Sequence, residues 1–275
     1  MIRKRLGLAG CIVLALAVLA PAASAQSWPV VFSYDSGTLA PPWQAVQAPV
    51  DRMSVTASPT DATKKVMRVE LRHGDEFVTG GVAYNRAEVY GRHGNSGNYT
   101  MGWPDGENTE RWYGWSTYFP SDFPSPPPPR WTIITQWPSM AGGTPPFAMA
   151  MSRGKVGLNY DESHLRDGDT TPLWISANTV TDNSWHTFVA HISWSWWSNL
   201  GFVELWHNGV QVVPKTFMAT TRCCAVQGTA VNPYPTYLKM GIYRSPEIPE
   251  TAVLYHGPMR IGTSKAMVEP PVPGG

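Results

Sequence analysis

"FVELWHNGVQVV", residues 202–213, sets two runs of alternating apolar residues around Asn208-Gly209. The two central positions of a type I′ turn need positive φ, which asparagine and glycine tolerate best, so the stretch predicts an antiparallel hairpin. Comparable short runs recur between turn signals: "KVMRVEL" (65–71), "GVAYNRAEVY" (81–90), "WYGWSTYFP" (112–120), "WTIITQW" (131–137), "HTFVAHISWSW" (186–196) and "YLKMGIY" (237–243). Glycine (25) and proline (26) make up about a fifth of the 275 residues, and few segments hold a helical apolar period for three turns. Short strands at this spacing predict an all-β sandwich of two antiparallel sheets. "PSDFPSPPPPR" (120–130) reads as a stiff connector inside the domain, and "EPPVPGG" (269–275) as a disordered tail. Among 13 tryptophans, Trp115 and Trp206 read as core residues, whereas aromatics on polar strand faces suit the C–H face of a sugar ring.

The amino terminus is a separate matter. Arg3, Lys4 and Arg5 precede an apolar run that ends in Ala23-Ser24-Ala25. That order is a secretory signal peptide over residues 1–25, so the mature chain is expected outside the cytoplasm, secreted or periplasmic. Leu8-Ala9-Gly10-Cys11 imitates a lipobox, but most of the apolar segment follows Cys11 instead of preceding it. The run is also too short for a membrane anchor. Residues 26–275 then form a single domain with 18 Lys and Arg against 20 Asp and Glu, a net charge of about −2. Such a balance argues against nucleic acid as a partner and, more weakly, against a heavily sulfated one. Cys223 and Cys224 are neighbours, which leaves a vicinal disulfide or two free thiols; a disulfide framework is excluded.

Three strands carry chemistry. In "TYLKMGIYRSP" (236–246), Leu238, Met240 and Ile242 alternate with Tyr237, Lys239, Gly241 and Tyr243. One face reads as core; the other offers two phenols, an ammonium and a bare glycine. In "AYNRAEVYG" (83–91), Tyr84, Arg86, Glu88 and Tyr90 share a face. A guanidinium held by a carboxylate neighbour is pre-oriented to bind a second carboxylate, although a plain cross-strand ion pair has the same signature. In "WTIITQWP" (131–138), Gln136 interrupts an apolar run, so it needs a buried partner or faces a cleft.

In this order, "RAEV", a glutamine in an apolar strand and "YLKMGIYR" resemble the jelly-roll polysaccharide lyases. These include alginate lyases with R-[ST]-E-[LV], Q-[IV]-H and Y-F-K-A-G-x-Y signatures, glucuronan lyases and heparin lyase I. "WYGWSTYFP" and "WSNLGFVELWHNGVQV" are similar to the glucuronan and heparin lyase branch, and the likeness runs from about Val66 to Ser264. The resemblance implies a concanavalin-like β-jelly roll with a concave groove, and cleavage of a uronic-acid polymer such as glucuronan or alginate by β-elimination. It implies that Arg86 and Gln136 hold the C5 carboxylate and that Tyr243 protonates the departing O4. Lys239 would promote ionisation of that phenol or bind a carboxylate, Gly241 would make room for a sugar ring, and Tyr84, Glu88, Tyr237 and Arg244 would contact substrate. Pro138 stands where the alginate lyases have a histidine. Either Tyr243 performs both proton transfers or another histidine serves as base, with His93 in "GRHGNSG" preferred to His164 and His191.

No cofactor is called for; "RDGD" (166–169) could bind calcium, but a solvated turn is the commoner meaning. The expected partner is an anionic polysaccharide, with the protein acting as a monomer. A glycoside hydrolase would need two carboxylates facing one bond, and Glu70, Glu88 and Glu204 fall in separate strands. The remaining alternative is a lectin-like binding domain, which needs the aromatics but not an acid–base phenol.

Overall fold

The computed structural model describes residues 27–39, 43–91, 107–161, 170–227 and 230–272. The first strands are β1 (Val30–Phe32), β2 (Trp43–Gln47), β3 (Met53–Ala57), β4 (Lys65–Leu71), β5 (Phe77–Thr79), β6 (Val82–Tyr84) and β7 (Arg86–Gly91). Next come β8 (Thr109–Phe119), β9 (Thr132–Trp137), β10 (Phe147–Ser152), β11 (Lys155–Asp161), β12 (Thr170–Ile175), β13 (Ser184–Trp194) and β14 (Phe202–His207). The last are β15 (Val210–Phe217), β16 (Arg222–Gln227), β17 (Ala230–Tyr234), β18 (Lys239–Arg244), β19 (Ala252–His256) and β20 (Met259–Gly262), followed by the single turn α1 (Lys265–Val268).

Two antiparallel sheets result, as the alternation predicts. The back sheet runs β15-β14-β13-β8-β19-β4-β3, with β20 also beside β8 and β1 beside β20. The groove sheet runs β12-β11-β10-β9-β18-β7-β2. The opening hairpin forms as read: His207 pairs with Val210 across Asn208 and Gly209, whose φ values of 49° and 79° are those of a type I′ turn.

Between the sheets, Met240 and Ile242 of β18 join Ala87 and Val89 of β7 in one core with Val69, Leu254 and Phe188 of the back sheet, all fully buried. Tyr113 and Trp115 of β8 set their rings edge-on to Trp137 of β9, linking the two layers. Each fully buried Val, Leu, Ile, Phe or Met among them contributes roughly 1.5–3 kcal/mol. Trp115 is a core residue as expected; Trp206 is not. It sits half-buried on the outer face of the back sheet against Trp112 and Lys265, because it alternates with the core residues Val203 and Leu205.

The expected disordered tail is tethered over its described part. The Ser116 hydroxyl donates to the Pro271 carbonyl (3.1 Å), and Arg260 donates to that of Glu269 (3.0 Å). Among the described residues, no helix is long and apolar enough to cross a membrane.

Candidate active site

Four neighbouring strands, β9, β18, β7 and β2, assemble the candidate site. Antiparallel register sets Lys239 opposite Gln136 on one side and Tyr90 on the other, and Tyr243 opposite Arg86. Five residues separated by up to 157 positions in the chain thus meet on one sheet face. The Arg86 guanidinium lies 4.0 Å from the centroid of the Tyr243 ring and 4.5 Å from that of Tyr84. Trp131 stands edge-on to Tyr243 at 4.7 Å between centroids.

The charges are unusually deep. Arg86 is 8% exposed, Lys239 5% and Glu88 1%. Glu88 Oε2 lies 3.6 Å from Arg86 Nε and 3.9 Å from Lys239 Nζ, and Glu88 Oε1 accepts from Gln136 Nε2 (2.5 Å). Two cations therefore share one buried anion, which leaves a net positive charge. Burial draws the Lys239 ammonium below its usual range; Glu88 opposes that effect and Arg86 adds to it. Burial, reinforced by Glu88, pushes the Tyr237 phenol up to about 12, so it stays neutral.

Several expectations change. Glu88 was expected to hold the Arg86 guanidinium and, from the resemblance, to contact substrate; the first contact is present, but its carboxylate is enclosed by Arg86, Lys239 and Gln136 and would repel a uronate. It holds Lys239 as well as Arg86. Arg244, which was expected to contact substrate, lines the cavity beside Tyr243 and is at the same time held by protein. Its Nε donates to Asn85 Oδ1 (2.8 Å) and its Nη1 to the Glu250 carbonyl (2.7 Å), so it braces two loops. Gly241 (φ 148°) makes room for protein, not sugar. A Cβ there would strike the Ala87 carbonyl and lie 2.7 Å from Glu88 Cα, so the missing side chain lets β7 and β18 close up. Tyr237 is buried edge-on against Tyr90, whereas Tyr84 remains at the surface of the site. His191 belongs to the back sheet, where Glu110 and Glu204 each approach it at 2.7 Å and Trp112 stacks on it at 3.8 Å. It cannot serve the groove. His93, His164 and residues 166–169 lie outside the described residues, as do the side chains of Cys223 and Cys224.

Three contributors were not anticipated. Gln47, on β2, accepts from Arg86 Nη1 (3.2 Å) and Lys239 Nζ (2.6 Å) through one oxygen. His73 and Trp131 line a cavity of about 390 Å³ beside Tyr243, together with Glu76, Tyr84 and Asn85. Nothing local marks these residues in the sequence; only the pairing of distant strands brings them in. Among the described residues, no group of three or more His, Cys, Asp or Glu side chains is arranged to hold a metal ion.

A family model described as polysaccharide lyase matches residues 35–260. The chain belongs to the polysaccharide lyase family. Among solved structures, the alginate lyase A1-II′ of polysaccharide lyase family 7 is 13% identical, with 78% of this chain and 85% of that one aligned at a TM-score of 0.54. The catalytic domain of a family 131 β-glucanase from Podospora anserina is equally similar, at 13% identity, 86% and 89% coverage and a TM-score of 0.53. No curated protein sequence matches. These likenesses make the fold a jelly roll. Since one of them is a hydrolase, the fold by itself does not select a reaction; the family match and the site must do so.

Proposed function

We propose that the protein is an exported lyase that cleaves an unsulfated uronic-acid polymer by β-elimination. The observation that carries this reading is the pair of buried cations, Arg86 and Lys239, sharing a single buried carboxylate next to Tyr243. An uncompensated buried cation costs several kcal/mol, and a site that retains one is built to receive an anion. A uronate carboxylate fits, because neutralising it makes the adjacent C5–H acidic and stabilises the enolate formed on its loss.

In the reaction, a base removes the C5 proton. The electron pair forms the C4=C5 bond, the C4–O4 bond breaks, and the leaving O4 takes a proton from the Tyr243 hydroxyl. Arg86, Lys239 and Gln136 hold the carboxylate through these steps. Two groups can accept the C5 proton: the Tyr243 oxygen, or the imidazole of His73 in the same cavity. Trp131, an exposed aromatic at the rim of the cavity, offers a ring face to a neighbouring sugar, and Tyr84 lines the same cavity. The amino-terminal signal peptide would deliver the enzyme to polymers outside the cytoplasm.

The test is a panel of glucuronan, alginate and polygalacturonate incubated with the purified mature chain. Each cleavage creates an unsaturated uronate with new low-ultraviolet absorbance. Growth of that absorbance on one of the polymers supports the proposal. Saturable binding without any new absorbance would assign the domain to carbohydrate binding alone.

A further inference from the structure

We infer that Gln47 is a specificity-determining residue of this site: its amide oxygen holds the place of a substrate carboxylate oxygen between Arg86 and Lys239. The inference rests on the lyase reading above and goes beyond it, since it concerns a strand that lies outside the three motif-bearing ones.

The reasoning begins with hydrogen-bond capacity. An ammonium has three donors and a guanidinium five, and neither has an acceptor. Lys239 Nζ has one short partner, Gln47 Oε1 at 2.6 Å; Glu88 at 3.9 Å is an ion pair too long for a hydrogen bond. Arg86 Nη1 reaches the same oxygen at 3.2 Å, while its buried Nε lacks a hydrogen-bonding partner, as does Glu88 Oε2. Two buried cations thus point their donors at one neutral oxygen and leave donor capacity unused. Buried polar groups are ordinarily satisfied, and those left over mark a place where something else binds. A carboxylate offers two oxygens and a charge where the amide offers one oxygen and a dipole. The ligand that completes the cluster is therefore a carboxylate, bound where Gln47 Oε1 now lies.

Gln47 is suited to yield that place. It ends the edge strand β2, opposite Glu88 of β7, and is only partly buried. Rotation of its side chain frees both cations, and its amide N–H can then donate to the arriving carboxylate. A glutamate at this position could not act so. It would pair permanently with Arg86 and Lys239 and exclude the uronate, so neutrality at position 47 is what admits an acidic sugar.

The experiment compares Q47E and Q47A with the wild type on whichever polyuronate the wild type cleaves, recording KM, kcat and Tm. Q47E should raise KM about a hundredfold, because like-charge juxtaposition at an interface opposes binding strongly. Its Tm should be equal or higher, since the cations gain a permanent partner. Q47A should raise KM only a few-fold, with the unpartnered cations still open to substrate. A wild-type KM in Q47E would overturn the inference and leave the lyase reading intact. Equal KM changes in both variants with a falling Tm would also overturn it, reducing Gln47 to a structural acceptor. Failure of the wild type to cleave any polyuronate would overturn the lyase reading and this inference with it.

Discussion

Replacing Glu88 by glutamine tests the electrostatics of the site without touching its shape. Glu88 is 1% exposed and is the carboxylate within ion-pair distance of both Arg86 and Lys239. Removing one partner of a buried ion pair costs about 3–5 kcal/mol, because the remaining charge is left in a poorly polarisable interior. Lys239 can shed its proton, which caps the penalty, so the low end of about 3 kcal/mol is expected. For a domain of this size each kcal/mol lowers Tm by about 2–4 °C, which gives a drop of about 6–12 °C at neutral pH. The pH dependence supplies a second signature. Burial already holds the Lys239 ammonium below 10.5, and loss of Glu88 removes the influence that opposes this. The folded variant then binds fewer protons than the unfolded chain between the lowered folded value and 10.5. Stability must therefore rise with pH across that window, more steeply than in the wild type. Calorimetry of E88Q from neutral to alkaline pH measures both effects. A Tm within about 2 °C of wild type at neutral pH, with no steeper alkaline slope, would refute this account of the cation pair.

Tyr243→Phe should reduce turnover by about 10²–10⁴-fold while leaving polymer binding, measured calorimetrically, nearly intact, because only the proton-donating hydroxyl is lost. In the same assay, an equally deep loss in His73→Ala assigns the base to that imidazole, whereas a near-wild-type rate leaves both proton transfers with Tyr243. Gly241→Ala should destabilise the fold by about 1–3 kcal/mol, read as a fall in denaturation midpoint, since the new methyl group meets the Ala87 carbonyl. A midpoint unchanged from wild type would mean that β7 and β18 are not held as close as described.

Local rules made much of this legible. The alternation of Leu238, Met240 and Ile242 with Lys239 and Tyr243 correctly separates core from groove, and Asn208-Gly209 correctly marks a turn. Arg244 shares parity with Met240 and Ile242, yet at the end of its strand it lines the cavity beside Tyr243 while its guanidinium donates to Asn85 and Glu250. For most strand residues, geometry decides direction before chemistry does. Trp206 follows the same rule. Glu88 and Gly241 were harder. The pairing of Glu88 with Arg86 was legible in "RAEV", but its contact with Lys239 and the tight packing at Gly241 depend on how closely strands about 150 residues apart in sequence approach one another, and nothing in "RAEV" or "KMGIY" encodes that distance. Gln47 was beyond reach for the same reason: its significance arises only when β2 pairs with β7 and its oxygen falls between two cations from different strands. The likeness to known lyases supplied the roles of Arg86, Gln136 and Tyr243, but residues outside the shared motifs had no such guide.

The position of β2 has a kinetic consequence. Among the described strands of the groove sheet it has a neighbour on one side only, β7, whereas β18 is gripped by both β7 and β9. Edge segments open locally at a small fraction of the free energy needed to unfold a domain. Amide protons of Val46 and Gln47 should therefore exchange with solvent sooner than those of Met240 and Ile242. Fraying of that border would lift Gln47 from the cations while leaving Arg86, Lys239 and Tyr243 in register. The lifetime of the closed site would then be governed by the breathing of one short strand and not by the durability of the whole molecule.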